Sequence, residues 1–340
     1  MEPITRPHNR FVTALIIIIC LLGVAVVASD WQDMRQVLAQ ANWSYIPLVL
    51  FFTFLSYACY SYAYAFVCDL LGIRMGKREL AEVCFISAVV NHVLTTGGVA
   101  GYSIRYMLLK MFNVSFKELV TSSFLHYYLT SLDMLTFLPL TFIYLLLHAI
   151  VPHGVTIGLG VMTLVFGLGL CVTTALVLFP AWRNMLLNRL ARAGQRILHR
   201  DYLPWLTQLD DSLTLGTQAI VRRPMLLLLI MLLTLVDFAS SIAAMGFVFL
   251  ALGTAVKPAV LVTGYVIGIM AGVVSMVPGG FGIQEGSMAG IYAMLGIRLE
   301  HGVLAAILFR ILYYLVPYFL ILPFYRRLLR RAKQQANPGS

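Results

Sequence analysis

The sequence predicts an all-α fold: a polytopic integral membrane helical bundle with an inverted-topology repeat and two broken or re-entrant helix pairs. Three observations predict it. Of 340 residues, 60% are apolar and 11% are charged, whereas a soluble domain carries about 25% charged residues. The apolar residues collect into runs long enough to cross a bilayer, which takes about 20 residues at 1.5 Å each. Two further apolar regions are interrupted by a Gly-Gly pair, each followed within two helical turns by an ionisable residue.

On the length criterion the full spans fall at 11–29, 46–68, 119–147, 155–179, 224–252 and 301–324, and regions 80–110 and 258–296 are the broken pairs. Together they form a single transmembrane domain over 1–325. The first run, Phe11 to Ala28, follows Arg6 and Arg10. A signal peptide has a shorter apolar core of about 7–15 residues, so a retained span is expected.

Lysine and arginine set the orientation, because they favour the cytoplasmic side. The N-terminus, the links 69–79, 110–118 and 180–223, and the tail after residue 325 are basic, and 180–223 alone holds seven arginines. The alternate links 30–45, 148–154, 253–257 and 297–300 carry few charges. Both termini are therefore expected inside, in a bacterial-type inner membrane. Region 80–110 must then start and end inside, and region 258–296 outside. Each sits between two full spans, so the two triplets share a layout with opposite orientation, the pattern from which many transporters build a midplane site. Non-helical backbone at that depth needs protein or water around it, which predicts an enclosed polar cavity.

Within 181–200, Arg189, Arg192, Arg196 and Arg200 step by three or four residues along one helical face, and Trp182, Leu186, Leu190 and Ile197 fall on another. That is the pattern of a basic amphipathic helix lying on the inner membrane surface. The cytoplasmic tail, 326–340, is expected to fray.

The net charge of +10 follows membrane topology and does not suggest nucleic acid. Cys20, Cys59, Cys68, Cys84 and Cys171 lie in or beside apolar runs with no CxxC pair, which argues against a disulfide framework or a metal site. HExxH, GxSxG and Walker motifs are absent from the sequence, so neither a catalytic centre nor a cofactor is expected.

Five ionisable residues fall inside apolar segments: Arg105, Asp133, Asp237, Glu285 and Arg310. Such groups face a bundle interior and pair, or mark a substrate path. Arginine suits a phosphate because its planar fork bonds two oxygens. A helix that starts after a Gly-Gly break adds free backbone N–H groups. The expectation is that Arg105 and Arg310 engage an anionic headgroup while Glu285, Asp133 and Asp237 balance them, the breaks at Gly97-Gly98 and Pro278-Gly279-Gly280 shaping the site. The alternative is a set of buried salt bridges that fixes helix packing. His126 lies seven residues before Asp133 on the same face. The pair would suit proton coupling, while a locally hydrogen-bonded neutral histidine is the plainer alternative.

Thr96-Gly97-Gly98 with Ile104-Arg105-Tyr106-Met107-Leu108, Pro278-Gly279-Gly280-Phe281-Gly282-Ile283-Gln284-Glu285, and Phe309-Arg310 with Pro317 together resemble the flippase-like membrane domain of the lysylphosphatidylglycerol synthase family. They are also similar to stand-alone membrane proteins of that superfamily. The resemblance covers roughly residues 10–325. At the first break the family often has Pro-Gly before a Gly-Glu pair, whereas Thr96 and Ala100-Gly101-Tyr102 stand here. Two-part synthases of the family carry a soluble aminoacyl-transfer domain after the membrane part, and this sequence stops at Ser340. The resemblance therefore implies movement of an anionic or modified phospholipid, or a polyprenyl-linked lipid, between leaflets. The expected partners are membrane lipids, and a homo-oligomer is left open. Two other classes stay in view: a lipid-headgroup-modifying enzyme or a subunit of one, and an ion-coupled small-solute transporter.

Overall fold

A computed structural model describes residues 31–94, 99–186, 189, 192, 210, 214, 216, 218, 222–275 and 277–336. The expected span 11–29, residues Thr96, Gly97 and Gly98 of the first break, and Arg196 and Arg200 lie outside the described residues. Arg189 and Arg192 are helical and exposed. The structure is 87% helical, with no strand among the described residues.

In chain order the helices are α1 (Trp31–Ala39), α2 (Ile46–Leu70), α3 (Lys77–Leu94), α4 (Val99–Lys110), α5 (Phe116–His148), α6 (His153–Leu178), α7 (Pro224–Ala251), α8 (Pro258–Val274), α9 (Ile283–Met294), α10 (Leu299–Arg310), α11 (Val316–Phe319) and α12 (Ile321–Ala336). A 3₁₀ turn at Pro278–Gly280 separates α8 from α9, and a π turn at Ile311–Leu315 joins α10 to α11. Among the described residues, five stretches are long and apolar enough to cross a membrane: Trp43–Leu70, Phe116–His148, His153–Leu178, Pro224–Ala251 and Leu299–Ala332. They match five of the six expected spans to within a few residues, except that the last runs on past residue 324.

That extension corrects one expectation. The tail from 326 is helical up to Ala336 and packs on α3. Leu328 and Ala332 are buried, one turn apart on the face toward the bundle. Beside them Arg327 pairs with Glu82 at 3.1 Å and Arg331 pairs with Glu79. The arginines read as a solvated tail in sequence, but Arg327 and Arg331, four residues apart, each have a partner on α3.

The centre of the bundle is the contact of α2 with α7. Small residues make it possible. Ser56 and Ala63 on α2 and Ser240, Ser241 and Ala244 on α7 are all buried, and in a membrane such residues let helix backbones approach closely. Around this pair, α5 packs on α8 and α12 packs on α3. Helix α6 is peripheral: Ile157, Val161, Leu164, Val165, Leu168 and Val172 are exposed apolar residues.

Each glycine-broken region is a helical hairpin. Along α8, Gly264, Gly268 and Gly272 recur every four residues and form one stripe. A Cβ on them would meet Tyr292, Met288 and Gln284 of α9 in turn, a strict antiparallel register. The first hairpin repeats the device once. A Cβ on Gly101 of α4 would stand 2.7 Å from both the Asn91 Cβ and the Ser87 carbonyl oxygen of α3.

Candidate functional site

The close approach at Gly101 brings the residue one turn later, Arg105, against α3. Arg105 is fully buried. Its Nε donates to Ser87 Oγ at 3.2 Å, Nη1 to Ser123 Oγ at 3.3 Å and Nη2 to Cys84 Sγ at 3.3 Å. The guanidinium carbon lies 4.2 Å from the ring centre of Tyr64 and 5.4 Å from that of Tyr127. The box is therefore built by α2, α3, α4 and α5. It offers neutral oxygens, one sulfur and two aromatic faces. Among the described residues, no carboxylate lies within ion-pair distance. Burial of an unpaired ion costs several kcal/mol, and a cation–π contact returns about 2 kcal/mol at best. The box is thus short of a negative charge.

Arg310 ends α10 in a different environment. It forms an ion pair with Glu285, donates through Nη2 to the carbonyl of Gly279 at 2.9 Å, and covers the Phe281 ring at 4.4 Å. Glu285 is the third residue of α9, and its second oxygen accepts from the backbone N–H of Gly282 at 2.8 Å. The turn that allows this has φ of +62° at Gly279, +63° at Gly280 and +80° at Gly282, values that only glycine takes without strain. The 3₁₀ turn packs on α3. A Cβ on Gly279 would lie 3.4 Å from the carbonyl oxygen of Val93, two residues before the described part of the first hairpin is interrupted.

Beside Arg310 stands an aromatic wall. The His92 ring stacks on Tyr314 with centres 5.0 Å apart, and its Nδ1 shares a hydrogen bond of 2.8 Å with the Tyr57 hydroxyl. Tyr314 accepts from Gln284 Nε2 at 3.0 Å and also flanks Arg310. Tyr313 bonds Ser56 Oγ at 2.5 Å and Ser241 Oγ at 2.8 Å. Helix α3 joins the two ends: Cys84 and Ser87 serve Arg105, and His92, about 7.5 Å further along the helix, serves the Arg310 side. Among the described residues, Arg105 and Arg310 share no partner, so these contacts describe two separate arginine sites and not the single polar cavity that was expected. The π turn directly after Arg310 carries Tyr313 and Tyr314 into the wall, and such turns recur at functional sites.

The other sequence candidates divide. Asp237 hydrogen-bonds to Ser56 at the α2–α7 contact. Asp133 has a buried Oδ2 with no hydrogen-bond partner. Neither pairs with Arg105 or Arg310, so of the three acids expected to balance the arginines only Glu285 does so. His126 Nε2 bonds the carbonyl of Tyr60 at 3.1 Å and its ring packs among Tyr60, Tyr64 and Tyr127. That is the local arrangement, with no bond to Asp133. Pro278, Gly279 and Gly280 form the turn that receives Arg310. Sequence reasoning missed Ser56, Ser87, Ser123, Ser241, Gln284, Tyr313 and Tyr314. Their signal was weak: hydroxyls inside apolar spans and a Tyr-Tyr pair three residues after an intramembrane arginine.

A family model described as "Lysylphosphatidylglycerol synthase TM region" matches residues 11–321. No curated protein matches the chain.

Proposed function

Because the chain belongs to the lysylphosphatidylglycerol synthase transmembrane family, we propose that it is a lipid translocator of an inner membrane, taking an anionic headgroup past Arg105 and then Arg310. The observation that carries this reading is the Arg105 box: a fully buried guanidinium with neutral partners and no carboxylate among the described residues. An anionic headgroup would supply the missing charge, and the arginine fork fits two phosphate oxygens. At the other end Glu285 already neutralises Arg310. A headgroup reaching Arg310 must therefore compete with a carboxylate, which suits release more than capture.

The packing supports an inverted repeat. In this reading α2, the α3–α4 hairpin and α5 correspond to α7, the α8–α9 hairpin and the last span. The counterparts α2 and α7 pack on each other, and each half's final span packs on the other half's hairpin, α5 on α8 and α12 on α3. That exchange is what a two-fold axis in the membrane plane requires. The basic links then face the cytoplasm with both termini.

The test uses liposomes that contain purified protein and a headgroup-labelled anionic phospholipid, with a membrane-impermeant quencher outside. Exchange between leaflets by the wild type and its loss in Arg105→Gln supports the reading. Equal exchange by both proteins would exclude a role for the Arg105 box, and turnover of the headgroup would favour the enzymatic alternative.

A further inference from the structure

A second basic site lies apart from both arginine boxes. A cavity of about 500 Å³ opens where α5 and α7 begin and α2 ends. Its polar lining includes Lys117, Thr121, Gln218, Arg222 and Arg223. Arg222 and Arg223 are exposed, and neither is paired with a carboxylate among the described residues. The acid of the lining, Glu118, is engaged in the N-cap of α5, where its carboxylate accepts from the N–H of Ser115 at 2.8 Å and from its hydroxyl at 2.7 Å. Residues at the N-termini of α5 and α7, the positive ends of their helix dipoles, border the cavity. The cavity is distinct from the Arg105 box. Thr121, which lines it, and Ser123, which serves Arg105, lie about 200° apart around α5.

Beyond Arg223, α7 continues with Met225, Leu228, Leu229 and Leu232, all exposed. Basic groups at a helix end beside an apolar strip along the same helix match a lipid: a charged headgroup with acyl chains running away from it. A soluble phosphate compound would have no use for the strip.

We propose that this cavity is a docking site for the phosphate-bearing headgroup of an anionic membrane lipid, held by Arg222 and Arg223 with its chains along α7. The site does not depend on translocation, because its lining shares no residue with either arginine box. It would hold a lipid whether or not that lipid is moved.

The experiment is native mass spectrometry of the detergent-purified full chain titrated with phosphatidylglycerol, phosphatidylcholine or inorganic phosphate. Wild-type protein should retain phosphatidylglycerol well above phosphatidylcholine. Arg222→Gln and Arg223→Gln, tested singly so that each stays close to the native charge, should each weaken retention about 10-fold, the effect of losing one charge-assisted hydrogen bond. The same weakening by Arg222→Gln should appear in an Arg105→Gln background, which separates this site from the translocation reading. Equal retention by the arginine variants, equal retention of the two lipids, or displacement of phosphatidylglycerol by inorganic phosphate alone would overturn the proposal. The last outcome would reassign the cavity to a soluble anion.

Discussion

Glu285 and Arg310 form an ion pair across the turn between α8 and α9, with only 14% and 10% of their side chains exposed. The acid sits at the start of one short helix and the base at the end of the next, so the pair ties the second hairpin to the last span. Glu285 also holds Gly282, and Arg310 also holds Gly279. The turn is thus clamped from both sides by one charge pair.

Removal of one partner leaves the other charge buried and unpaired, which costs about 3 kcal/mol. Glu285→Gln and Arg310→Gln should each lower the unfolding temperature in detergent. The double variant should recover part of the loss, because no ion is then stranded. Additive losses in the double variant would mean that the two charges act independently.

Arg105 should behave in the opposite way. Among the described residues it has no carboxylate to strand, and its burial is itself unfavourable. Arg105→Met, which keeps an apolar stem in the box, should therefore leave thermal stability unchanged or raise it while abolishing lipid exchange. Arg105→Lys should retain little exchange, since an ammonium lacks the fork. A strong destabilisation by Arg105→Met would make the arginine a structural element.

Much of the architecture was legible because hydrophobic length is an average over many residues. Five spans fell where the runs predicted. The glycine motif of the second hairpin was legible too, since Gly279, Gly280 and Gly282 all need positive φ. The pairing of charges was not legible. It depends on which face each residue takes and on which helices become neighbours. Nothing local to Asp237 says that Ser56, 181 residues away, takes its carboxylate. Arg327 and Arg331 looked like topology signals because their partners Glu82 and Glu79 lie on a helix more than 200 residues earlier in the chain.

The glycines of the second hairpin give a sign test. Gly264→Ala would drive a methyl into the buried ring of Tyr292, and overpacking of this kind costs about 1–3 kcal/mol. Gly286 and Gly290 lie on α9 with no neighbour within 4 Å of an added Cβ. Alanine there should stabilise by about 0.5–1 kcal/mol through helix propensity alone. Thermal unfolding of the three single variants checks both signs. A stable Gly264→Ala protein would refute the register drawn through Tyr292, Met288 and Gln284.

The clamp between α3 and α12 makes the last prediction. Glu82 is buried and accepts from both Arg78, at 3.2 Å, and Arg327, at 3.1 Å, while Glu79 pairs with Arg331. Three arginines and two acids hold the start of α3 against the final helix, and α3 in turn carries Cys84, Ser87 and His92 to the two arginine boxes. Glu82→Gln removes the buried charge that both Arg78 and Arg327 need. Hydrogen exchange should then rise over 321–336 and over the first two turns of α3, with α2 and α7 unchanged. The Glu79–Arg331 pair is more exposed than the Glu82–Arg327 pair, and exposure lets water and salt screen an ion pair, so Glu79→Gln should have the smaller effect and that effect should weaken at high ionic strength. Because Ser87 sits two turns beyond Glu79 on α3, loosening of the clamp should also slow lipid exchange through the Arg105 box. Unchanged exchange in a Glu82→Gln protein whose α12 has come free would show that the box is held by α2, α4 and α5 without help from the tail.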